Sequence, residues 1–514
     1  MMSLLIMTPI KTDKLGQRRH VTRPVFLTLM VVCLLSACAV GPDFVPPHAE
    51  SSDQYAKNFS VEQHFSADGK TQHISGNTTI NDEWWTLFGS ASLNAVVEQA
   101  LAHNQTLAAS QANLRQSQHN VQAAYGVFFP KVDIGAEAIR ARSAPVQTGL
   151  STPGTVYNLV TVSGSISYVF DVFGGERRAV EVALAQMSNQ GYLTKAAYLM
   201  LSANVVNTVI AHAAYAEQIR LNQELIDIER KQLKTTQVLY NNGTIPYSSV
   251  LSLQSLIASN EAAIAPLKQK LAQSEDLLAT LQGVTPAQLN LPEVTLSSLS
   301  LPIELPLSLP SDLIRQRPDI LSAQAQLHAA SAEIGVATAA MFPSISLSGN
   351  VGIAGRSWGN LSAGNGKFWN VGPSISLPLF QGGTFWYQRQ AAIDAYQAAQ
   401  AIYRQTVLSA FAQVADTLGA IDHDAAALQA RADAKHAAQQ ALQLVQANYS
   451  AGMTAYLDVY TADVQTHQAS IDYWQAVAQR YQDTVALYVA LGGGWWNNSN
   501  VAVNGQDHAA GDVP

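Results

Sequence analysis

A chain of 514 residues with 13% charged and 48% hydrophobic side chains departs from ordinary soluble domains, in which about a quarter of residues are charged. Ala, Ser, Gln and Asn fill the missing charged positions, which implies much surface that is neither core nor normal solvated exterior. The net charge of −8 argues against nucleic acid as a partner, because phosphate backbones select basic surfaces.

The chain opens on a basic stretch with Lys11, Lys14, Arg18, Arg19 and Arg23, then the apolar run VFLTLMVVCLLSA from Val25 to Ala37. That run is shorter than the ~20 residues of a spanning helix, and residues 1–37 have the form of a secretory signal peptide. It ends in Leu35-Ser36-Ala37-Cys38, which resembles the bacterial lipobox. Cys38 is therefore expected to be the acylated mature N-terminus, its covalent lipid the sole attached group. Cleavage removes Cys33, so no internal disulfide is expected, and leaves 24 basic against 36 acidic residues, a charge of −12. Ala39 follows Cys38, so the Asp that retains lipoproteins in the inner membrane is absent, and sorting to the outer membrane is expected.

Residues 38–80 show no period and read as an acylated N-terminal linker. Residues 81–290 form a first repeat. Leu93, Val96, Val97, Ala100, Leu101, Asn104, Leu107 and Ala108 have helical spacing, continuing to about Tyr125. A strand pair over 131–170 follows, then a long helix over 176–240 and a returning helix over 248–282. The long helix, with no Pro and only Gly191, would be about 97 Å long. After a linker at 291–310, residues 311–492 repeat the plan: a helix, a strand pair over 344–379, a long helix over 383–448 and a helix over 455–491. Residues 391–447 hold 20 Ala and no Pro, a strong helical composition. Residues 493–514 read as a disordered tail.

The strands are legible from period-two alternation. Val160, Val162, Ile166 and Tyr168 oppose Thr161, Ser163, Ser165 and Ser167. Ile345, Leu347, Val351 and Ile353 oppose Ser344, Ser346, Ser348 and Asn350. Trp369, Val371, Ile375 and Leu377 oppose Asn370, Ser374 and Ser376, and the segment from Val132 alternates more weakly. A half-buried soluble sheet would alternate in the same way. Export and a polar face of Ser, Thr and Asn favour strands that cross a bilayer with that face on a wet lumen, assigned to Ser163, Ser165, Ser167, Ser346, Ser348, Ser374 and Ser376. Four strands cannot close a barrel, and an open edge cannot face lipid. Several chains must then pool them, and twelve is the smallest such number that leaves an open pore.

No chemistry-bearing constellation emerges. The twelve His residues form no HExxH, and Asp422-His423-Asp424 reads as solvated helix surface. The Gly-rich stretch from Gly349 lacks a phosphate-binding pattern, and no GxSxG elbow occurs. Arg317 and Asp319 read as a helix-start ion pair or cap. The expectation is a protein that is not an enzyme and holds neither cofactor nor metal.

Several segments resemble the outer membrane factor family, the TolC-like channels of tripartite efflux pumps, in its lipoprotein, NodT-like branch. They are CAVGPDFVPP from Cys38, WWTLFGSASLNAVVEQAL from Trp84, LIRQRPDILSAQAQLHAASAEIGVATAAMFPSISLSG from Leu313, and ALGGGW ending at Trp495. The resemblance implies a mixed α+β membrane protein: a homotrimeric twelve-stranded β-barrel, four strands per chain, continued by a periplasmic α-helical barrel. It implies a passive outer-membrane duct for drugs or other small toxic compounds, served by a membrane-fusion adaptor and an inner-membrane transporter of RND or MFS type. The runner-up is the duct of a type I protein secretion system. The tips between the long helices, Gly243, Thr244, Gly452, Met453 and Thr454, would dock the adaptor. Asp458 and Tyr449 match gate positions, whereas a well-known member carries charged residues where Thr454 and Thr461 stand. Position alone makes Asp458 a helix-start carboxylate favoured by the dipole.

Overall fold

The computed structural model describes residues 39–47, 55, 64–75, 80–144, 149, 153–308, 310–361 and 364–497. The signal segment and Cys38 lie outside the described residues. The chain divides into two units, one of Met1–Phe44, Ala123–Val182 and Ser331–Asp394, the other of Val45–Gln122, Ala183–Ala330 and Ala395–Pro514.

The first unit holds one antiparallel sheet of four strands, β3 (Lys131–Arg142), β4 (Val156–Phe170), β6 (Ser344–Gly355) and β7 (Lys367–Ser376). They pair in the order β3-β4-β6-β7, so β3 and β7 each leave one edge open within the chain. The period-two alternation of the side chains sets the register: Ser165 lies opposite Asn350, Ser167 opposite Ser348, and Ser346 opposite Ser374.

The second unit is built from helices. α1 (Ala91–His103), α2 (Gln105–Tyr125), α5 (Pro310–Gln316) and α6 (Pro318–Ala339) are short; α3 (Gly175–Asn241) and α7 (Thr384–Ser450) have 67 residues each, and α4 (Tyr247–Leu281) and α8 (Tyr456–Ala490) have 35 each. α2, α3, α6 and α7 contribute to both units. Corresponding ends of the two hairpins, α3–α4 and α7–α8, are all 209 residues apart, Gly175 to Thr384 and Leu281 to Ala490 among them. Trp84, Trp85 and Phe88 sit in a buried 3-10 turn against α8, with Trp84 stacked on Tyr488 at 5.6 Å between ring centroids.

Four local expectations are revised. The helix expected from Leu93 to Tyr125 breaks at Asn104, whose extended backbone (ψ 123°) ends α1. Its side chain accepts from Leu107 N (2.9 Å) and donates to Leu281 O (2.9 Å); Asn competes with the helix for such bonds. The segment read as a linker over 38–80 carries a hairpin, β1 (His64–Ala67) and β2 (Lys70–Ser75). The linker at 291–310 supplies β5 (Glu304–Pro306), which pairs parallel with β2. The two linkers thus make one small sheet. Lastly, the tail read from 493 is ordered as far as Asn497: Trp495 Nε1 donates to Gln316 O (2.8 Å) and Asn497 Nδ2 to Ile80 O (2.6 Å).

Candidate functional site

Three places carry the sequence-derived residues: the two faces of the sheet, the seat of the N-terminal segment and the helix tips. On the sheet, register puts all seven candidate serines on one face, together with Asp133, Glu137, Thr161, Asn350 and Asn370. The opposite face is apolar and open. Ile134 is 84% exposed, Trp369 76% and Ile375 71%. A soluble sheet would bury such a face, since each large side chain left in water forfeits roughly 1.5–3 kcal/mol. Ser346 and Ser374 hydrogen-bond across strands at 2.8 Å on the polar side.

The N-terminal segment is seated against α3 and α6 within the first unit. Val40 N donates to Phe173 O (3.0 Å), and buried Arg178 donates to Asp43 (2.6 Å) and to Glu181 (2.7 Å). Gly41 lies so close to Gly335 that a Cβ on it would stand 2.5 Å from the Gly335 Cα. The GPD and IGVA motifs are therefore two halves of one contact. A Cβ on Gly41 would strike the Gly335 backbone, and one on Gly335 would strike the Arg178 side chain at 2.7 Å and Val40 O at 3.0 Å, so neither position has room for a side chain.

At the tips, both long helices end in the same Schellman motif. Gly243 N donates to Tyr240 O (2.8 Å) and Thr244 N to Leu239 O (2.9 Å); Gly452 N donates to Tyr449 O (2.9 Å) and Met453 N to Asn448 O (2.9 Å). Both glycines have φ of +73°, the left-handed conformation this cap requires. Tyr240 packs on Tyr247 at 5.0 Å and Tyr449 on Tyr456 at 5.3 Å. Met453 is 72% exposed, and Gly243, Thr244 and Gly452 are exposed too, with Thr454 half-buried.

Asp458 is exposed and caps α8. Its Oδ2 accepts from Ala455 N (3.1 Å) and from Thr454 Oγ1. The corresponding positions in the first tip are Pro246 and Ser249. Proline has no N–H to satisfy, so no carboxylate is needed there. Thr461, where a charge was the family expectation, returns its hydroxyl to Leu457 O (2.9 Å).

Sequence reasoning missed a polar group that joins the two hairpins above the tips. Glu229 on α3 is fully buried; its Oε1 accepts from Asn260 on α4 (2.6 Å) and from Tyr460 on α8 (3.0 Å), and its Oε2 has no partner among the described residues. Burial holds the Glu229 carboxyl above its usual range, against the opposing pull of the Tyr460 and Asn260 hydrogen bonds. Tyr460 also packs on the apolar cluster of Ile219, Ile226, Leu253, Ile257 and Ile264. The available signal was a Glu standing on the buried stripe of Leu225, Ile226 and Gln232.

Arg317 and Asp319 pair at 2.7 Å, and Arg317 Nη1 also donates to Ala490 O (2.7 Å). That bond fixes the end of α8, as Asn104 fixes the end of α4. Asp424 faces buried Asp483, whose carboxyl is raised to about 7 by burial and by that neighbour. Among the described residues no group of three or more His, Cys, Asp or Glu is placed to hold a metal ion.

The model of the family described as outer membrane efflux protein matches residues 96–284 and 309–493. The chain is 29% identical over 429 residues to the pyoverdine export outer membrane protein OpmQ of Pseudomonas aeruginosa, covering 82% of this chain and 90% of that one. It is 27% identical over 470 residues to nodulation protein T of Rhizobium leguminosarum bv. viciae, covering 90% and 92%. The solved outer-membrane channel OprN superposes with a TM-score of 0.79 at 26% identity, covering 89% of this chain and all of that one.

Proposed function

This chain belongs to the outer membrane efflux protein family, an efflux channel of the Gram-negative outer membrane that extends into the periplasm, and from that premise we propose how its parts conduct. Three copies pool their sheets into a twelve-stranded barrel with the serine face inward and the apolar face on outer-membrane lipid. The carrying observation is a sheet with an exposed apolar face and two open edges, at β3 and β7, which lipid does not tolerate unless other chains pair with them. α3, α4, α7 and α8 continue the duct into the periplasm. A membrane-fusion adaptor docks at Gly243, Thr244, Gly452, Met453 and Thr454, and an RND or MFS transporter supplies the energy and chooses the drug or other small toxic compound.

The lipid sits on Cys38. Ala39, bonded to it, packs against Gly174 at the end of the strand pair, so an acyl chain would start beside the segment that enters the membrane. The second tip, with Tyr449 and Asp458, is the gate. Without charges at Thr454 and Thr461, the bond from Tyr460 to buried Glu229 ties the gating hairpin to its neighbour.

The test is deletion of the gene with a panel of toxic compounds, together with mass and planar-bilayer measurements on purified protein. A trimer that conducts, and a hypersensitive deletion strain, are expected. A non-conducting monomer would sink the channel assembly. Loss of an exported protein with unchanged compound sensitivity would move the reading to type I secretion.

A further inference from the structure

The helical unit contains a half-open cavity of about 230 Å³ far from the tips in sequence, lined by the β1–β2 turn, the segment around Leu296, α7 and α8. Its walls are apolar and aromatic: Leu296, Leu301, Leu428, Tyr473, Trp474 and Tyr481. Arg480 also lines it and is 2% exposed. Two of its nitrogens are used, Nε donating to Gln72 Oε1 (3.0 Å) and Nη2 to Phe65 O (2.7 Å). Nη1 is buried and has no acceptor among the described residues. An unpaired buried guanidinium N–H carries a desolvation penalty that native structures rarely leave unanswered.

The surroundings are cationic as well. Lys435 Nζ lies 3.9 Å over the Tyr473 ring and 5.6 Å over the Trp474 ring, and Lys70 lines the cavity. Asp68, the acid at the rim, is engaged: its carboxylate accepts from Tyr473 OH. Burial lowers the Lys435 and Arg480 pKa values, against the opposing pull of Asp68 and Glu217 on the first and of Asp483 on the second.

We propose that this cavity binds a small monocarboxylate with a flat apolar body. A guanidinium matches a carboxylate's two oxygens, and the aromatic walls suit a planar ring. Phosphate fits less well, since the walls of Leu296, Leu301 and Leu428 would strip water from a second negative charge. The volume lies below the roughly 300–1,000 Å³ of drug-sized sites, which separates this site from the cargo of the duct. A bound acid would cross-link the β1–β2 hairpin to α7 and α8.

The probe is benzoate, titrated by calorimetry into the purified full-length assembly, with neutral benzamide as the isostere. Saturable benzoate binding with Kd below about 1 mM and at least about tenfold weaker benzamide binding are expected. Leu428→Trp fills the cavity and touches none of the Arg480 hydrogen bonds, so it should abolish binding in an assembly whose mass and helical circular dichroism stay those of the wild type. No saturable benzoate binding, equal affinity for benzamide, or undiminished binding by Leu428→Trp would each overturn the site.

Discussion

The hairpins α3–α4 and α7–α8 have the same lengths, the same Schellman caps and the same tyrosine pair at the tip, yet they differ chemically at root, waist and tip. At the root, Asn104 holds the Leu281 carbonyl and Arg317 holds that of Ala490. At the waist, Glu229, Asn260 and Tyr460 correspond by repeat to Ala438, Ala469 and Leu251. At the tip, Ala455 and Asp458 stand where Pro246 and Ser249 stand. The backbone problem is solved once and used twice, while the side chains change in compensated sets. Where one residue gains a free N–H, a second gains a carboxylate to receive it.

The root should show the largest effect. Arg317→Met removes a buried guanidinium with three partners, Asp319, Gln413 and Ala490, and should cost about 2–3 kcal/mol. Asn104→Ala should cost only about 1–2 kcal/mol. Denaturant midpoints of the two variants measure the contrast. Equal losses would mean that the roots are equivalent and that charge adds nothing.

The waist comes next. Tyr460→Phe leaves Glu229 with one donor fewer inside an apolar cluster, an expected cost of about 1–2 kcal/mol. If the bond restrains the gating hairpin, the closed-pore conductance rises with it, and Glu229→Gln, which still accepts, raises it less. A Leu251→Ala control at the corresponding exposed position of α4 should leave conductance alone. Unchanged conductance in Tyr460→Phe would reduce the bond to packing.

Much of this contrast was readable beforehand, for identifiable reasons. Helices of 67 residues are legible because Ala-rich, Pro-free stretches have no competing structure. The serine face is legible because side chains in a strand alternate strictly, so register follows from pattern. The tips are legible because a helix that ends in left-handed geometry calls for Gly. The break at Asn104 was not, since the second bond that holds its side chain goes to the Leu281 carbonyl, 177 residues away. The β1–β2–β5 sheet was hidden likewise: its strands have four, six and three residues, too short for a period, and β2 meets β5 only through the fold. Glu229 stands on the stripe of Leu225, Ile226 and Gln232, but its partners Asn260 and Tyr460 lie 31 and 231 residues away, so the bonds themselves leave no local mark.

Asp483 gives a pH test of smaller amplitude. Its folded carboxyl is raised to about 7, chiefly by burial, above the ~3.9 of an unfolded Asp. Between those values the folded state holds the extra proton, so stability falls as pH rises from about 4 to about 7 and then levels. The corresponding positions in the first hairpin are Ser274 for Asp483 and Tyr215 for Asp424, so that hairpin carries no carboxylate pair there. Asp483→Asn should flatten that slope in melting temperature against pH. An unchanged slope would place the titration elsewhere.

The smallest expected stability effect belongs to the tip, and it is the most discriminating. Asp458→Ala removes the acceptor of Ala455 N–H and should cost about 1 kcal/mol of helix capping, whereas Ser249→Ala should cost nearly nothing. Alone, that result cannot separate capping from gating. The double variant Ala455→Pro with Asp458→Ser can, because it transplants the first tip's own solution. Ala455 has φ of −79° and ψ of 155°, and Pro246 has −72° and 152°, so the ring is accommodated and no donor is left bare. If Asp458 only caps, this variant matches wild type in both stability and conductance. If Asp458 also guards the pore, stability is restored while conductance and antibiotic uptake stay raised, and the carboxylate is needed for its charge as well as for the hydrogen bond it accepts.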